Sequence, residues 1–198
     1  GDSLTSNMPD HASYRYWLWK FLVSAGFKVD FVGTDASTFF KPFDQDMEGH
    51  PGATSEDLAN HVADWAAQTR PQVVLLLVGA QDAQDDFSPA ATTTNVRRII
   101  ARLRAVNPNV KILLGLSPPL VGYYYKVLAL DAAVRQLPPQ LSQARSPVIL
   151  VDMFPGYIPR QYTFDGIHPN MYGDHLMAQR WFQALYPVLI QLGQRPTG

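Results

Sequence analysis

Two stretches at opposite ends of the chain hold residue types that could do chemistry together. Residues 1–5 read Gly-Asp-Ser-Leu-Thr, and residues 165–169 read Asp-Gly-Ile-His-Pro. A serine hydroxyl is a weak nucleophile at neutral pH, and it needs a neighbouring base whose tautomer is fixed by a third group. The second stretch supplies a carboxylate and an imidazole three residues apart. Together the two stretches predict a serine hydrolase with Ser3 as its nucleophile.

The composition favours one globular domain and excludes several classes of protein. The chain has 198 residues, of which 46% are hydrophobic and 17% are charged. At this length it can bury roughly 70% of the surface that its unfolded form exposes. We predict one domain over residues 1–193 and a flexible tail over 194–198.

The net charge of −1 argues against a nucleic-acid partner. The absence of cysteine excludes disulfides, thiolate metal sites and a cysteine nucleophile. The longest apolar run, Val73–Val78, is far shorter than the ~20 residues of a membrane span.

Hydrophobic periodicity predicts alternating helices and strands. Helical spacing of apolar residues and terminal signals predict helices over about 14–25, 55–70, 96–106, 124–137 and 169–192. Short apolar runs predict strands over 28–32, 72–78, 111–116 and 148–151. Such alternation predicts an α/β fold, a three-layer α/β/α sandwich around a parallel sheet. Functional groups in such folds collect beyond the carboxyl ends of the strands.

Four short blocks carry a resemblance to a known superfamily. They are Gly1–Thr5, Gly52 within His50–Thr54, Gly79–Asp82 and Asp165–Pro169. Their order and approximate spacing resemble those of the SGNH, or GDSL-type, hydrolases. The resemblance spans nearly the whole chain, and it implies a flavodoxin-like SGNH hydrolase fold.

A narrower resemblance rests on three further segments, 13–19, 29–34 and 48–52. With 151–154 leading into 165–170, they look like the acetyl xylan esterases of carbohydrate esterase family three. This implies a secreted serine esterase that removes short acyl groups, above all acetyl, from a carbohydrate such as acetylated xylan, without a cofactor. Two alternatives stay open: a short-chain esterase, thioesterase or lysophospholipase of the same superfamily, or a catalytically impaired carbohydrate-binding homologue.

Carried over to this sequence, the resemblance implies a role for each matching residue. Ser3 attacks the ester carbonyl, His168 takes its proton, and Asp165 orients His168. The oxyanion is held by the backbone N–H groups of Ser3 and Gly52 and by an amide side chain in the third block. There the family pattern has Asn, but this chain has Gln81, which is longer by one methylene. Gln81 is therefore a repositioned donor, a weakened one, or a sign of lost or engineered activity.

A second departure concerns the strand on which the family mounts its nucleophile. The family places an apolar strand directly ahead of the Gly-Asp-Ser block, and nothing precedes Gly1 in this sequence. Four strands are visible where the fold expects five. We therefore expect the first strand to be missing from the sheet, or the centre of the sheet to be rearranged.

Other polar residues have less specific patterns. His50 is the main rival base, although its place beside Gly52 favours lining a pocket or pinning a loop. Asp2 and Asp82 are candidates for positioning loops or substrate, and Tyr123 for stacking on a sugar ring. The acidic groups at 44–48 and 82–86 lack a recognisable calcium-ligand spacing, so we predict no metal site. The substrate is expected to be a small-molecule or polysaccharide ester, and the oligomeric state is left open.

Overall fold

The computed structural model describes residues 1–6, 13–36 and 42–195. It contains a three-stranded parallel sheet and a short antiparallel ribbon. The ribbon consists of β1 (Asp35–Ala36) and β2 (Asp46–Met47). The parallel sheet consists of β3 (Val73–Leu77), β4 (Lys111–Gly115) and β5 (Val148–Val151), with β4 in the middle. Val73 lies opposite Lys111, and Gly115 lies opposite Val151. The predicted α/β class with a parallel sheet is confirmed.

Helices cover both faces of the sheet. In chain order the helices are α1 (Ser13–Ser24), α2 (Ser55–Thr69), α3 (Ala80–Gln84), α4 (Pro89–Val106), α5 (Tyr124–Val134), α6 (Leu137–Leu141), α7 (Pro159–Tyr162) and α8 (Met171–Gln191). α1 packs on α8, and their buried residues form one core cluster around Trp181. α2 packs on α4, and the buried residues of these two helices belong to a second core cluster around Ile99. Because apolar side chains cover it on both faces, β4 is almost wholly buried.

Local sequence signals account for most element boundaries. Thr54 caps α2 in a reciprocal capping box with Asp57, which agrees with the start of the helix predicted over 55–70. Gly26, after the end of α1, has a φ of +77°. The predicted strands over 72–78, 111–116 and 148–151 are confirmed within two residues at either end. The division into one domain over 1–193 and a tail over 194–198 stays a prediction, and residues 196–198 lie outside the described part of the chain.

One predicted strand is absent, and two predicted helix ends lie at other residues. Residues 28–32 form no strand, because the side of this segment that faces β3 borders a cavity and no described strand pairs with it. The helix predicted over 124–137 ends at Val134, and Pro138 and Pro139 lie in the first turn of a separate helix, α6, where proline lacks no needed N–H. α8 begins after Asn170, whose side chain caps it by accepting from the N–H groups of Tyr172 and Gly173, and not at Pro169.

One buried acid gives the fold a measurable pH dependence. Asp131 on α5 is 5% exposed; its Oδ1 accepts the Ser117 N–H at 3.1 Å, and its Oδ2 has no partner among the described residues. Burial raises the pKa of Asp131 to about 8. A raised carboxyl pKa means that the folded state holds a proton which the unfolded state releases near pH 4. The contribution of Asp131 to stability is therefore highest below pH 4 and declines until about pH 8.

Asp131→Asn is expected to remove this decline, since the amide keeps the acceptor for Ser117 and carries no charge. Thermal unfolding at pH 9 should show a melting temperature at least about 5 °C above that of the unmodified chain. At pH 4 the two proteins should melt together. The matched control Asp64→Asn changes an exposed carboxylate on α2 and should show no such divergence. Equal melting temperatures of Asp131→Asn and the unmodified chain at pH 9 would contradict the assignment.

Candidate active site

A short turn before α8 orients Asp165 and His168 toward each other. Asp165 Oδ1 accepts the backbone N–H groups of Ile167 at 2.9 Å and His168 at 2.7 Å. Its Oδ2 lies 2.7 Å from His168 Nδ1. The turn requires Gly166, which has a φ of +92° and no room for a Cβ against Val121. The carboxylate thus holds both the backbone and the ring of the histidine.

The other ring nitrogen of His168 faces the serine at the far end of the sequence. His168 Nε2 lies 3.0 Å from Ser3 Oγ. Ser3 sits in a turn in which the Asp2 carbonyl accepts the N–H groups of Thr5 and Ser6. Asp2 Oδ1 also accepts the Leu4 N–H at 2.9 Å. The structure therefore brings Ser3, His168 and Asp165 into one hydrogen-bonded chain, as expected from their sequence blocks.

Helix α1 supports the turn that carries Ser3. The Thr5 carbonyl accepts from Ser13 Oγ at 3.0 Å and from Arg15 Nε at 2.9 Å. The Thr5 hydroxyl lies 3.1 Å from the Tyr14 hydroxyl. All three α1 side chains are buried. Segment 13–19 contributes to the family resemblance, but nothing in these residue types indicated a contact with the Ser3 turn.

The pKa values of the two carboxyl groups near Ser3, those of Asp165 and Asp2, shift in opposite directions. Partial burial acts to raise the pKa of Asp165, but the hydrogen bonds from the His168 ring and from two backbone N–H groups outweigh it and lower the pKa to about 2. Asp165 is consequently ionised at neutral pH. Burial raises the pKa of Asp2, against the hydrogen bond from the Leu4 N–H. Asp2 is 1% exposed, so it positions the turn and is not open to substrate.

The Gly52 loop lies beside the start of the chain. The His50 N–H donates to the Gly1 carbonyl at 2.8 Å, and Ala53 N–H donates to the His50 carbonyl. Gly52 has a φ of +78°, with open space where a Cβ would point. Among the described residues, the N–H groups of Ser3 and Gly52 have no hydrogen-bond acceptor. Both are thus free to donate to a bound group.

His50 is occupied elsewhere. Its Nε2 lies 2.6 Å from Glu48 Oε1, and its ring stacks on Trp65 with the centroids 4.1 Å apart. Glu48 in turn accepts from the N–H and hydroxyl of Thr34. These contacts fit the predicted loop-pinning role of His50 and leave His168 as the histidine that meets Ser3.

Asp82 joins the elements around the site. Its Oδ1 accepts the Ser55 N–H at 2.6 Å, and its Oδ2 accepts the Thr92 hydroxyl at 2.6 Å. Asp82 is fully buried, and Asn95 donates to the Ser55 hydroxyl at 3.0 Å. The first turns of α2 and α4 are thereby fixed to α3. This arrangement fits the loop-positioning role predicted for Asp82.

Gln81 and Tyr123 occupy the rim of the sheet but make other contacts. Gln81 Nε2 donates to Asp85 Oδ1 at 3.0 Å, on its own short helix α3. Tyr123 lies at the start of α5, and the Lys126 ammonium is 5.4 Å from its ring centroid. Neither side chain has a hydrogen bond to Ser3 or His168 among the described residues, so their roles toward a substrate stay predictions.

Two further residues that hold the turn around Asp165 were not predicted from the sequence. The Thr163 hydroxyl accepts the Gly166 N–H at 2.9 Å, and the Val121 N–H donates to the Gly166 carbonyl at 2.8 Å. Both hold the turn that contains Asp165. A threonine three residues before a glycine is a turn signal that could have been noticed. Val121 carries no such signal.

Comparison with protein families identifies the family to which this chain belongs. The sequence profile of the GDSL-like Lipase/Acylhydrolase family matches residues 1–176. The chain belongs to this family. A search of curated proteins found no match.

Solved structures agree with this membership. An acetyl esterase mutant determined with an acetate ion is 27% identical, with 97% of this chain and 96% of that chain covered and a TM-score of 0.89. A carbohydrate esterase family 3 protein from Talaromyces cellulolyticus is 30% identical over 97% and 94% of the two chains, with a TM-score of 0.85. A family 3 carbohydrate esterase from Clostridium thermocellum is 27% identical over 97% and 95%, with a TM-score of 0.86. The hydrolase is thus a carboxylic ester hydrolase of the GDSL type, and it resembles family 3 carbohydrate esterases.

Two searches of the described residues had negative results. Residues 1–6, 13–36 and 42–195 contain no group of three acidic or histidine side chains that could hold a metal ion. No described helix is both long and apolar enough to cross a bilayer.

Proposed function

We propose that the enzyme hydrolyses acetyl esters of carbohydrates, such as those of acetylated xylan, with Ser3, His168 and Asp165 as its catalytic residues. The observation that carries the proposal is the hydrogen-bonded chain from Ser3 Oγ through both nitrogens of His168 to Asp165, with distances of 3.0 and 2.7 Å. The acetyl and carbohydrate parts rest on similarity to an acetyl esterase and to family 3 carbohydrate esterases.

In the proposed mechanism each of the three residues has its own step. Ser3 Oγ attacks the ester carbonyl carbon while His168 Nε2 accepts the hydroxyl proton. His168, now charged and held by ionised Asp165, gives that proton to the departing alcohol oxygen as the ester bond breaks. Water then attacks the acetyl-serine, losing a proton to Nε2. Collapse of this second intermediate returns the proton to Ser3 Oγ and releases acetic acid, which ionises to acetate in solution.

The negative charge that develops on the carbonyl oxygen during the attack is stabilised by hydrogen-bond donors that are already in position. The N–H groups of Ser3 and Gly52 supply two, and they are not used by described acceptors. Gly52 also lies two residues before Thr54, the N-cap of α2, where the helix dipole favours negative charge. Gln81 is the third candidate, and one of its two amide protons is donated to Asp85.

A substrate panel tests the specificity. Acetylated xylan and p-nitrophenyl acetate should be cleaved with kcat/KM at least about 10-fold above that for p-nitrophenyl octanoate, since one or a few methylenes change transition-state binding by about 1–3 kcal/mol. An acetyl thioester and a lysophospholipid belong in the same panel. Preference for the octanoyl ester or the lysophospholipid would replace the carbohydrate assignment with a lipid one. The secreted location implied by the resemblance stays a prediction.

The hydrogen bond between Gln81 and Asp85 favours a second candidate function, that of a carbohydrate-binding homologue with impaired turnover. Because the longer amide is tied to its own helix, we expect it to be a weakened oxyanion donor. Gln81→Asn should raise kcat on p-nitrophenyl acetate by up to about 10-fold, given that a complete donor contributes on the order of 10² to 10³. The matched control Gln84→Asn, on the same helix, should leave kcat unchanged. An unchanged or lower kcat in Gln81→Asn would exclude a merely weakened donor.

A further inference from the structure

A buried acid on α5 holds one end of the loop that follows β4. Asp131 is 5% exposed, and its Oδ1 accepts the Ser117 N–H at 3.1 Å. Ser117 is the second residue after the end of β4 at Gly115. Asp131 lies outside the four sequence blocks, and the proposed mechanism gives it no step. Its contact with Ser117 is therefore a feature of the fold that the chemistry has not yet used.

The other end of this loop is bonded to the turn that carries the catalytic acid and base. The Val121 N–H donates to the Gly166 carbonyl at 2.8 Å. The Val121 side chain also lies against this glycine, because a Cβ on Gly166 would be 2.8 Å from Val121 Cβ. Gly166 directly follows Asp165 and lies two residues before His168. A shift of Val121 would consequently move the turn that holds both side chains.

The segment 117–121 forms a stiff link between these two contacts. Its first four residues are Ser-Pro-Pro-Leu, and all four are buried. A proline fixes its own φ and also restricts the residue before it, so Ser117, Pro118 and Pro119 have little backbone freedom. Prolines also have no N–H. The backbone hydrogen bonds that the segment donates within the described structure come from Ser117 and Val121, at its two ends.

The surroundings of Asp131 favour a role as a hydrogen-bond acceptor over a role in an ion pair. Among the described residues, the charged groups that act on it are Asp152 and Arg135, and these pair with each other at 2.7 Å. Its Oδ2 has no hydrogen-bond partner in the same part of the chain. A buried acid without an ion pair costs stability, whereas its Oδ1 satisfies a buried N–H group. What this side chain contributes is thus the acceptor for Ser117.

We propose that Asp131 is a positioning residue for ester hydrolysis, which holds the turn of Asp165 and His168 in place through the segment 117–121. Its acceptor oxygen fixes the start of the segment, the two prolines carry that constraint along the chain, and Val121 passes it to the turn. The inference rests on the proposed function, since it assigns the effect to the histidine that serves as the base. Displacing a reacting group by about 1 Å can cost on the order of 10² in rate, even when the mutation lies far from the chemistry.

A neighbouring residue on α5 provides a matched control for loss of stability. Val134 lies three residues after Asp131, is 3% exposed and belongs to the core cluster around Ile99. Val134→Ala weakens the packing of the same helix through the loss of apolar contacts. It leaves the acceptor for Ser117 in place. A residue that only stabilises the fold should behave like Val134, whereas a positioning residue should affect turnover more.

Steady-state kinetics on p-nitrophenyl acetate at pH 7 compare the variants. Asp131→Ala removes the acceptor and should lower kcat at least about 10-fold, while KM stays within about 3-fold. Burial raises the pKa of Asp131 to about 8, so the neutral amide of asparagine is its closest replacement at this pH. Asp131→Asn should therefore restore kcat to within about 3-fold of the unmodified enzyme. Val134→Ala should keep kcat within about 2-fold, although its melting temperature falls.

Hydrogen exchange of the Val121 amide tests the link without ester hydrolysis as the readout. This amide donates to Gly166, and it should exchange at least about 10-fold faster in Asp131→Ala than in Val134→Ala. Unmodified protein that does not hydrolyse the ester would contradict the proposed function, and the faster exchange would still establish the link. Active unmodified enzyme, with equal Val121 exchange in the two variants, would overturn the link alone.

A second variant decides the matter if Asp131→Ala does not fold. Pro119→Gly leaves Asp131 in place but frees the backbone of the segment, and it should lower kcat at least about 3-fold with KM unchanged. Equal kcat in Pro119→Gly and the unmodified enzyme would overturn the proposal. Equal losses of kcat in Asp131→Ala and Val134→Ala would also overturn it, and so would an Asp131→Asn enzyme as slow as Asp131→Ala.

Discussion

Replacement of Ser3 by alanine is expected to lower kcat/KM for p-nitrophenyl acetate by at least about 10⁴-fold, because the proposed acyl-enzyme forms on the Ser3 hydroxyl. His168→Ala should lose a similar factor, since Ser3 Oγ would keep its proton. The double variant should be no worse than either single one, because residues that act as a unit have non-additive effects.

Matched variants separate chemistry from folding. Ser24→Ala removes an exposed hydroxyl at the end of α1, and His61→Ala removes an exposed imidazole on α2. Both should keep kcat/KM within about 3-fold of the unmodified enzyme, and all four single variants should retain the same circular dichroism spectrum. Ser3→Ala protein that is folded and still hydrolyses the ester at more than a tenth of the original rate would remove Ser3 from the mechanism.

Asp165→Asn should have the next largest effect, a loss of roughly 10³ to 10⁴ in kcat. Asp165 Oδ2 lies 2.7 Å from Nδ1 of His168, and in the proposed mechanism it stabilises the positive charge that forms on the ring. An amide at this position has no negative charge, and it can present its N–H₂ group to Nδ1, which would leave the proton on Nε2, where it blocks Ser3. Asp64→Asn serves as the matched control. A loss smaller than about 10-fold would mean that another acceptor orients the ring.

The pH behaviour of this pair has a definite sign. The pKa of Asp165 is lowered to about 2, so the carboxylate is ionised in the folded enzyme throughout the range from pH 5 to 8. Its stabilising contribution is present above the unfolded value near 4 and is lost as the pH falls through about 2. Protonation of Asp165 therefore does not account for a loss of activity between pH 8 and 5, whereas histidine as a residue type titrates within that range. The rate of the unmodified enzyme should fall over this range, and a flat profile would count against His168 as the base.

The parts of the site that could be predicted are those coded by local chemistry. Asp165 and His168 are three residues apart, and a glycine between them allows the turn that points both side chains at one place. The Thr54 capping box and the apolar runs of β3, β4 and β5 are likewise local signals. For that reason the fold class and most elements followed from periodicity and end signals.

What failed depends on contacts between distant segments. Residues 28–32 have the composition of a strand, but strand structure needs a hydrogen-bonding neighbour, and the place beside them is a cavity. The support of the Ser3 turn by Ser13 and Arg15 on α1 depends on hydrogen bonds to the Thr5 carbonyl that residue types alone do not indicate. The hydrogen-bond partner of the Gln81 side chain could not be predicted from the sequence either. Its type indicates an amide donor, whereas its bond to Asp85 emerges only from the fold.

Covalent labelling with a fluorophosphonate probe tests most directly whether Ser3 is a nucleophile activated by His168. The unmodified enzyme should be labelled at neutral pH, and peptide mass spectrometry should place the modification on Ser3. Labelling should vanish in Ser3→Ala and fall at least about 10³-fold in rate in His168→Ala, while His61→Ala should label normally. Folded, unmodified protein that takes up no probe, or label found on a serine other than Ser3, would contradict the proposed mechanism.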